Sequence, residues 1–214
     1  PWNALHIRPS MLLAATSEAA GRALIDRGAL ADGSEPQGSI YLLSTSDAKR
    51  NTRLPEYERA VQLGRKDLRV HLLQQDRLEG AADVLGYFTG LASVPAIATN
   101  HYLPGAIADH LTSLGGQLTD SPQMSALRWL EAGATASYGT VVEPCNFATK
   151  FPDPGLLLSY YRRGDTLIEA YWRSVAMPGQ GVFIGEPLAR PWPHGQDLVL
   201  RGNGAAGASS RHVR

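Results

Sequence analysis

Only one cysteine, Cys145, occurs among 214 residues. That excludes an internal disulfide and any zinc or iron–sulfur site built from several cysteines. Net charge is missing too: 20 basic residues stand against 20 acidic ones, so no long-range field gathers nucleic acid or anionic lipid. The longest apolar runs are pieces such as residues 11–15, far below the roughly 18 residues that a membrane span requires. No Walker-type phosphate loop and no dinucleotide-binding glycine fingerprint follows any candidate strand, so nucleotide-driven chemistry has no motif to rest on. The histidines at 6, 71, 101, 110 and 194 show no metal-ligand spacing, and neither a metal nor another cofactor is expected.

What is present suits one globular domain. Apolar side chains make up 43% of the chain and charged ones 19%, enough to bury about 70% of the unfolded surface. Glycine (22) and proline (14) are somewhat abundant, which signals many turns. A single α/β domain is expected over residues 1–192, with a disordered Gly/Ala/Ser-rich tail over 193–214. The chain opens on Pro1 and reads as N-terminally incomplete, a fragment or a processed form.

The apolar period alternates between strand-like and helix-like. Strands are expected at 10–15, 39–43, 68–73, 84–89, 106–112, 135–142 and 182–184. Helices are expected from the cap candidates Thr16 and Ser17 to Arg27, at 55–63, from Ser121 to Gly133, at 156–161, and at 166–175 behind Asp165. About ten residues join the strands at 68–73 and 84–89, near the lower limit for a parallel crossover. One of the two is therefore expected antiparallel at an edge. Strands alternating with helices point to a three-layer sandwich around a mostly parallel sheet.

In such a sheet ligands bind beyond the carboxyl ends of the strands. The polar residues there are Ser44–Asp47, Asp109, His110, Thr112, Ser113, Glu143 and Cys145, which makes Asp47, Asp109, Thr112 and Glu143 the candidate ligand-binding groups. His110 and Cys145 form the sharpest pair, because an imidazole beside a thiol holds it as thiolate. A plainer account has His110 pinned by backbone and Cys145 filling space beside Pro144. Neighbouring Asp109 and His110 point to opposite faces of a strand, so Asp109 does not orient His110. Asp47, Arg50, Asn51 and Arg53 offer a clamp for a carboxylate or phosphate, or else Asp47 caps a short helix and the arginines are solvated. The aromatic series Tyr160, Tyr161, Tyr171, Trp172 has helical spacing and reads as packing.

The stretch Gly164-Asp165-Thr166-Leu167-Ile168-Glu169-Ala170, followed by Ile184-Gly185-Glu186-Pro187-Leu188, resembles the closing helix and strand of gingipain-type, caspase-like cysteine peptidases. Residues 132–139 are similar to a Gly-Ala strand of that group. From Arg8 to Trp192 the chain is also similar to a bacterial family without an assigned activity, whose hallmarks match residues 103–113 and 139–145. The resemblance implies a caspase-like fold, and it points to export. Its catalytic pair does not carry over. The family's histidine lies in a Gly-His-Gly turn, and the matching stretch Tyr87-Phe88-Thr89-Gly90-Leu91-Ala92 has Leu91 in its place. Where the nucleophilic cysteine ends the next strand, this chain has Thr112-Ser113.

The leading expectation is a caspase-like domain without peptidase activity, acting in binding, with a peptide or small molecule at the strand ends, or in an unknown role. The alternative is a hydrolase rebuilt around His110 with Cys145 or Ser113. A third reading is an interaction module of a longer polypeptide.

Overall fold

The computed structural model describes residues 6–144 and 146–195, so Cys145 and the segment 196–214 of the expected tail lie outside the described residues. Six strands form one sheet: β1 (Gly38–Ser44), β2 (Leu68–Gln74), β3 (Val84–Thr89), β4 (Tyr102–His110), β5 (Ala136–Thr140) and β6 (Gly181–Gly185). Their order is β2-β1-β3-β4-β5-β6. The first five are parallel, and β6 runs antiparallel to β5. Among the described residues five α-helices flank them: α1 (Glu18–Ala31), α2 (Leu54–Val61), α3 (Leu127–Ala132), α4 (Pro154–Arg162) and α5 (Leu167–Ser174).

The central strand β3 is buried along its whole length, as a strand covered on both faces must be. On one face Ile40, Leu42, Phe88, Ile107, Leu111 and Tyr138 pack beneath residues of α2, α4 and α5. On the other, Tyr87 and Ala108 meet Trp129 of α3, and Leu24 of α1 packs with Leu127, Leu130 and Ile184. The expected α/β architecture, a mostly parallel sheet between two helical layers, is what the chain adopts. No helix among the described residues is long and apolar enough to cross a membrane.

Local chemistry accounts for the helix starts. The Ser17 hydroxyl accepts from the Ala20 amide and opens α1. Pro55 sits in the first turn of α2, where its missing N–H costs nothing. Asp153 accepts from the amides of Gly155 and Leu156 at the head of α4. At α5 the cap is Thr166, whose amide and hydroxyl both donate to Glu169; the expected cap, Asp165, instead holds Arg173 at 2.8 Å.

Three further expectations need correction. β2 and β3 are both parallel, because they are not neighbours: β1 lies between them, and their short link crosses a face of the sheet from the carboxyl end of β1, where Gln75 meets Ser44, to its amino end, where Asp83 meets Ser39. Residues 10–15 contribute only a single bridge, Leu12 against Ile184. The helix expected from Ser121 begins at Leu127, behind the Ser125 hydroxyl, which accepts from the Leu127 amide. The residues before it form an irregular turn that closes over β4.

Phe183 stacks on Trp172 at 4.9 Å and meets Tyr138 at 4.8 Å. Replacing it by alanine removes this contact between β6, β5 and α5. Phe183→Ala is expected to cost about 3–5 kcal/mol of stability, read as a shift in the urea unfolding midpoint. A loss below about 1 kcal/mol would mean that the aromatic stack is not part of the core.

Candidate functional site

The carboxyl ends of β1, β3, β4 and β5 meet at one edge, and three loops cover it. The loop after β1 is tied down first. The Thr45 hydroxyl donates to the Gly90 carbonyl at 2.8 Å, while Asn51 accepts from the Thr45 amide at 3.0 Å and donates back to its carbonyl at 2.6 Å. Gly90 has no side chain for a steric reason: a Cβ there would stand 2.1 Å from the Arg50 carbonyl oxygen.

Thr112 joins the loops. Arg50, paired with Asp47, reaches the Thr112 hydroxyl through Nε at 3.3 Å. That hydroxyl donates to Gln123 Oε1 at 2.9 Å, and the same oxygen accepts from the Leu114 amide at 2.7 Å. Thr140, ending β5, donates to the carbonyls of Thr112 and Ser113. Asp47 occupies the cap position of the short 3-10 turn Ala48–Arg50 but makes no capping bond; its carboxylate goes to Arg50 instead. Asp47 and Thr112 therefore meet through Arg50 and are largely satisfied by each other's neighbours.

Asp109 and His110 point to opposite faces. Asp109 lies 2.7 Å from Arg53, with the two side chains 0% and 1% exposed. Arg53 is thus a core residue and not a solvated cation. It also donates to the Thr89 carbonyl at 2.9 Å and to that of Pro152 at 3.3 Å, with Tyr57, Phe88 and Phe151 around its guanidinium. Burial pushes the Asp109 carboxyl up to about 6, and Arg53 pulls it back. Burial also opposes the charge on Arg53, yet Asp109 and the neighbouring Tyr57 raise its pKa above the ordinary value. The close contact and the inability of arginine to shed its proton favour an ionised pair at neutral pH. Asp109 Oδ2, Arg53 Nε and the Tyr171 hydroxyl have no hydrogen-bond partner among the described residues.

On the other face His110 is fully buried. Trp129 donates from its indole to His110 Nδ1 at 2.9 Å, so Nδ1 is unprotonated and Nε2–H donates to the Met124 carbonyl at 3.0 Å. Both nitrogens are engaged. Burial depresses the imidazole pKa to about 4, against the opposing pull of the Met124 bond.

Leu91 follows β3, half-buried against the cluster containing Tyr87 and Trp129. Ser113, 1% exposed, has a hydroxyl without a hydrogen-bond partner among the described residues. Glu143 is exposed, outside the Thr112 network. Its loop is held by the buried Lys150, whose amine donates to the carbonyls of Val142 and Pro144. The geometry of the His110–Cys145 pair falls outside the described residues.

Gln123, Trp129 and Lys150 did not stand out in the sequence, and Arg53, grouped there with Asp47, Arg50 and Asn51 as a clamp or a solvated cation, instead organises the core. Arg53 stands among charged residues, Trp129 reads as ordinary core, and only their partners give them meaning. A polar cavity of about 290 Å³ adjoins the edge, lined by Ser44, Thr45, Ser46, Gln74, Gln75 and Asp76. An apolar one of about 190 Å³ between α1 and α3 is lined by none of the candidate residues. Among the described residues no group of three potential metal ligands converges. Comparison with protein-family models, curated proteins and solved structures returned no match.

Two measurements follow. A lowered histidine pKa means that the unfolded chain takes up a proton which the folded one refuses, so stability is lost as pH falls from 6.5 to about 4. The stability advantage of the wild type over His110→Gln is expected to shrink by roughly 3 kcal/mol between pH 7 and pH 4; a constant difference would mean that the imidazole is not held neutral. Asp109→Leu leaves Arg53 buried and unpaired, which is expected to cost about 3–5 kcal/mol in chemical denaturation, with much of it recovered in the double variant Arg53→Met/Asp109→Leu. No recovery would place the loss elsewhere than in the pair.

Proposed function

We propose that this chain is a caspase-like α/β domain without the peptidase dyad, which binds a peptide or small molecule at the carboxyl edge of its sheet. The observation that carries this reading is the lack, among the described residues at the strand ends, of an imidazole with a free nitrogen. Leu91 occupies the position after β3 where the resembling peptidases place their histidine. The nearest imidazole, His110, has both nitrogens bonded inside the fold. A serine hydroxyl at Ser113 needs a base to become a nucleophile, and neither of these residues supplies one. The mostly parallel sheet between helical layers agrees with the resemblance without singling it out.

A binding role keeps the features that peptidase chemistry would not use. The Thr112–Gln123–Arg50 network fixes the edge, above the buried hydroxyl of Ser113. The rebuilt-hydrolase alternative is kept alive by that same hydroxyl and by Cys145.

Fluorogenic peptide substrates of varied sequence separate the two. No turnover is expected, together with peptide-induced protection of the amides around Thr112 and Ser113 in hydrogen exchange. Turnover abolished by Ser113→Ala or Cys145→Ser would overturn the reading in favour of a hydrolase. Peptides and small molecules that leave those amides unprotected would remove the edge as a binding site.

A further inference from the structure

Helices α1 and α3 meet over the buried Leu24, Leu127 and Leu130, but they do not close completely. A cavity of about 190 Å³ stays between them, and Ala14, Ala15, Ala20 and Ala23 line it together with those leucines. Alanine methyl groups are too short to fill the space. An apolar cavity of roughly 150 Å³ in a protein takes up benzene, so this one admits a body of that size with a small polar group attached.

Two of the lining side chains are charged, Arg27 and Glu131. Glu131 is drawn onto Arg128 at 2.7 Å, so its charge is answered within α3. Arg27 is half-buried and has no such match. Both of its hydrogen bonds leave from Nη2, to the carbonyls of Leu130 and Ala134, and its Nε has no hydrogen-bond partner among the described residues. The two carbonyls orient the guanidinium but bring no net charge. By contrast, Arg50, Arg53 and Arg162 are matched by Asp47, Asp109 and Asp67. Burial lowers the Arg27 pKa, and no acidic group among the described residues pulls it back, which is the condition of a cation still short of its anion.

We propose that this cavity binds a small monocarboxylic acid, its compact apolar body among the alanines and leucines and its carboxylate against Arg27. The surroundings select that class. A neutral hydrocarbon would leave the half-buried guanidinium uncompensated. A phosphate or a sugar would set polar atoms against the leucines without partners, and a peptide exceeds the volume. The carboxyl edge of the sheet contributes no residue to this cavity, so the proposal stands apart from the reading given for that edge.

Benzoate, titrated into the isotopically labelled full chain and followed by two-dimensional amide spectra, tests it. Saturable shifts are expected at the amides of Ala20, Ala23, Arg27 and Leu130, with a Kd in the millimolar range or tighter for a molecule this small. Benzyl alcohol has nearly the same shape without the charge, and should bind at least about tenfold more weakly because it forgoes the charge-assisted bond. This comparison uses the wild type alone. Arg27→Met keeps the length of the side chain and should erase the preference for benzoate. Ala23→Leu fills the cavity from an exposed helix position and should remove binding of both probes. Unmoved amides in the wild type, equal affinity for the two probes, a preference that survives Arg27→Met, or binding that survives Ala23→Leu would each overturn the proposal.

Discussion

Arg53 and Asp109, neither in reach of solvent, hold four parts of the molecule together. Arg53 directly precedes α2, Asp109 belongs to β4, and the other arms of the guanidinium take carbonyls at the end of β3 and just ahead of α4. Bringing both charges out of water is expensive, and the return depends on a close contact supplemented by aromatic faces and backbone oxygens. The loop that ends at Arg53 is consequently fixed at its far end as well as at Thr45. Asp47 and Arg50 can meet Thr112 only because of that double attachment.

Much of the fold was legible in the sequence, for reasons that differ between elements. β1 and β3 announce themselves because a strand buried on both faces leaves a short run of apolar and aromatic residues, here Ile40–Leu43 and Val84–Phe88. The order of strands in the sheet is not written in any local period, and so the link between β2 and β3 suggested an antiparallel edge where β1 in fact intervenes. Arg53 was grouped with Asp47, Arg50 and Asn51 for a related reason. Its surroundings in sequence are polar and charged, while in space Tyr57, one turn on, is joined by Phe88 and Phe151 from distant segments. The separation of Asp109 and His110 to opposite faces, by contrast, follows from strand geometry alone and needed no tertiary information. Both histidine nitrogens are engaged because Trp129 and Met124 arrive from a helix and a turn whose boundary could not be placed from local signals.

The strand ends combine closure with a few open valences, among them those of Thr89 and Asp109. Thr45, Asn51, Thr112, Gln123 and Thr140 satisfy one another across three loops, which gives the edge a defined shape. Such mutual satisfaction makes poor proton-transfer machinery, since each group would first have to give up a bond. It makes a good frame, because a frame is useful only if it holds still. Ser113 sits inside that frame with its hydroxyl uncommitted.

Leu12 has a meaning beyond the two hydrogen bonds that it makes. A sheet with two bare sides can add molecules at either, and nothing then limits the length of the resulting polymer. By bonding to both Phe183 and Gly185, this short segment takes up outward-facing groups of β6, so a strand approaching that side has nothing left to pair with there. A fibre would first have to peel Leu12 away.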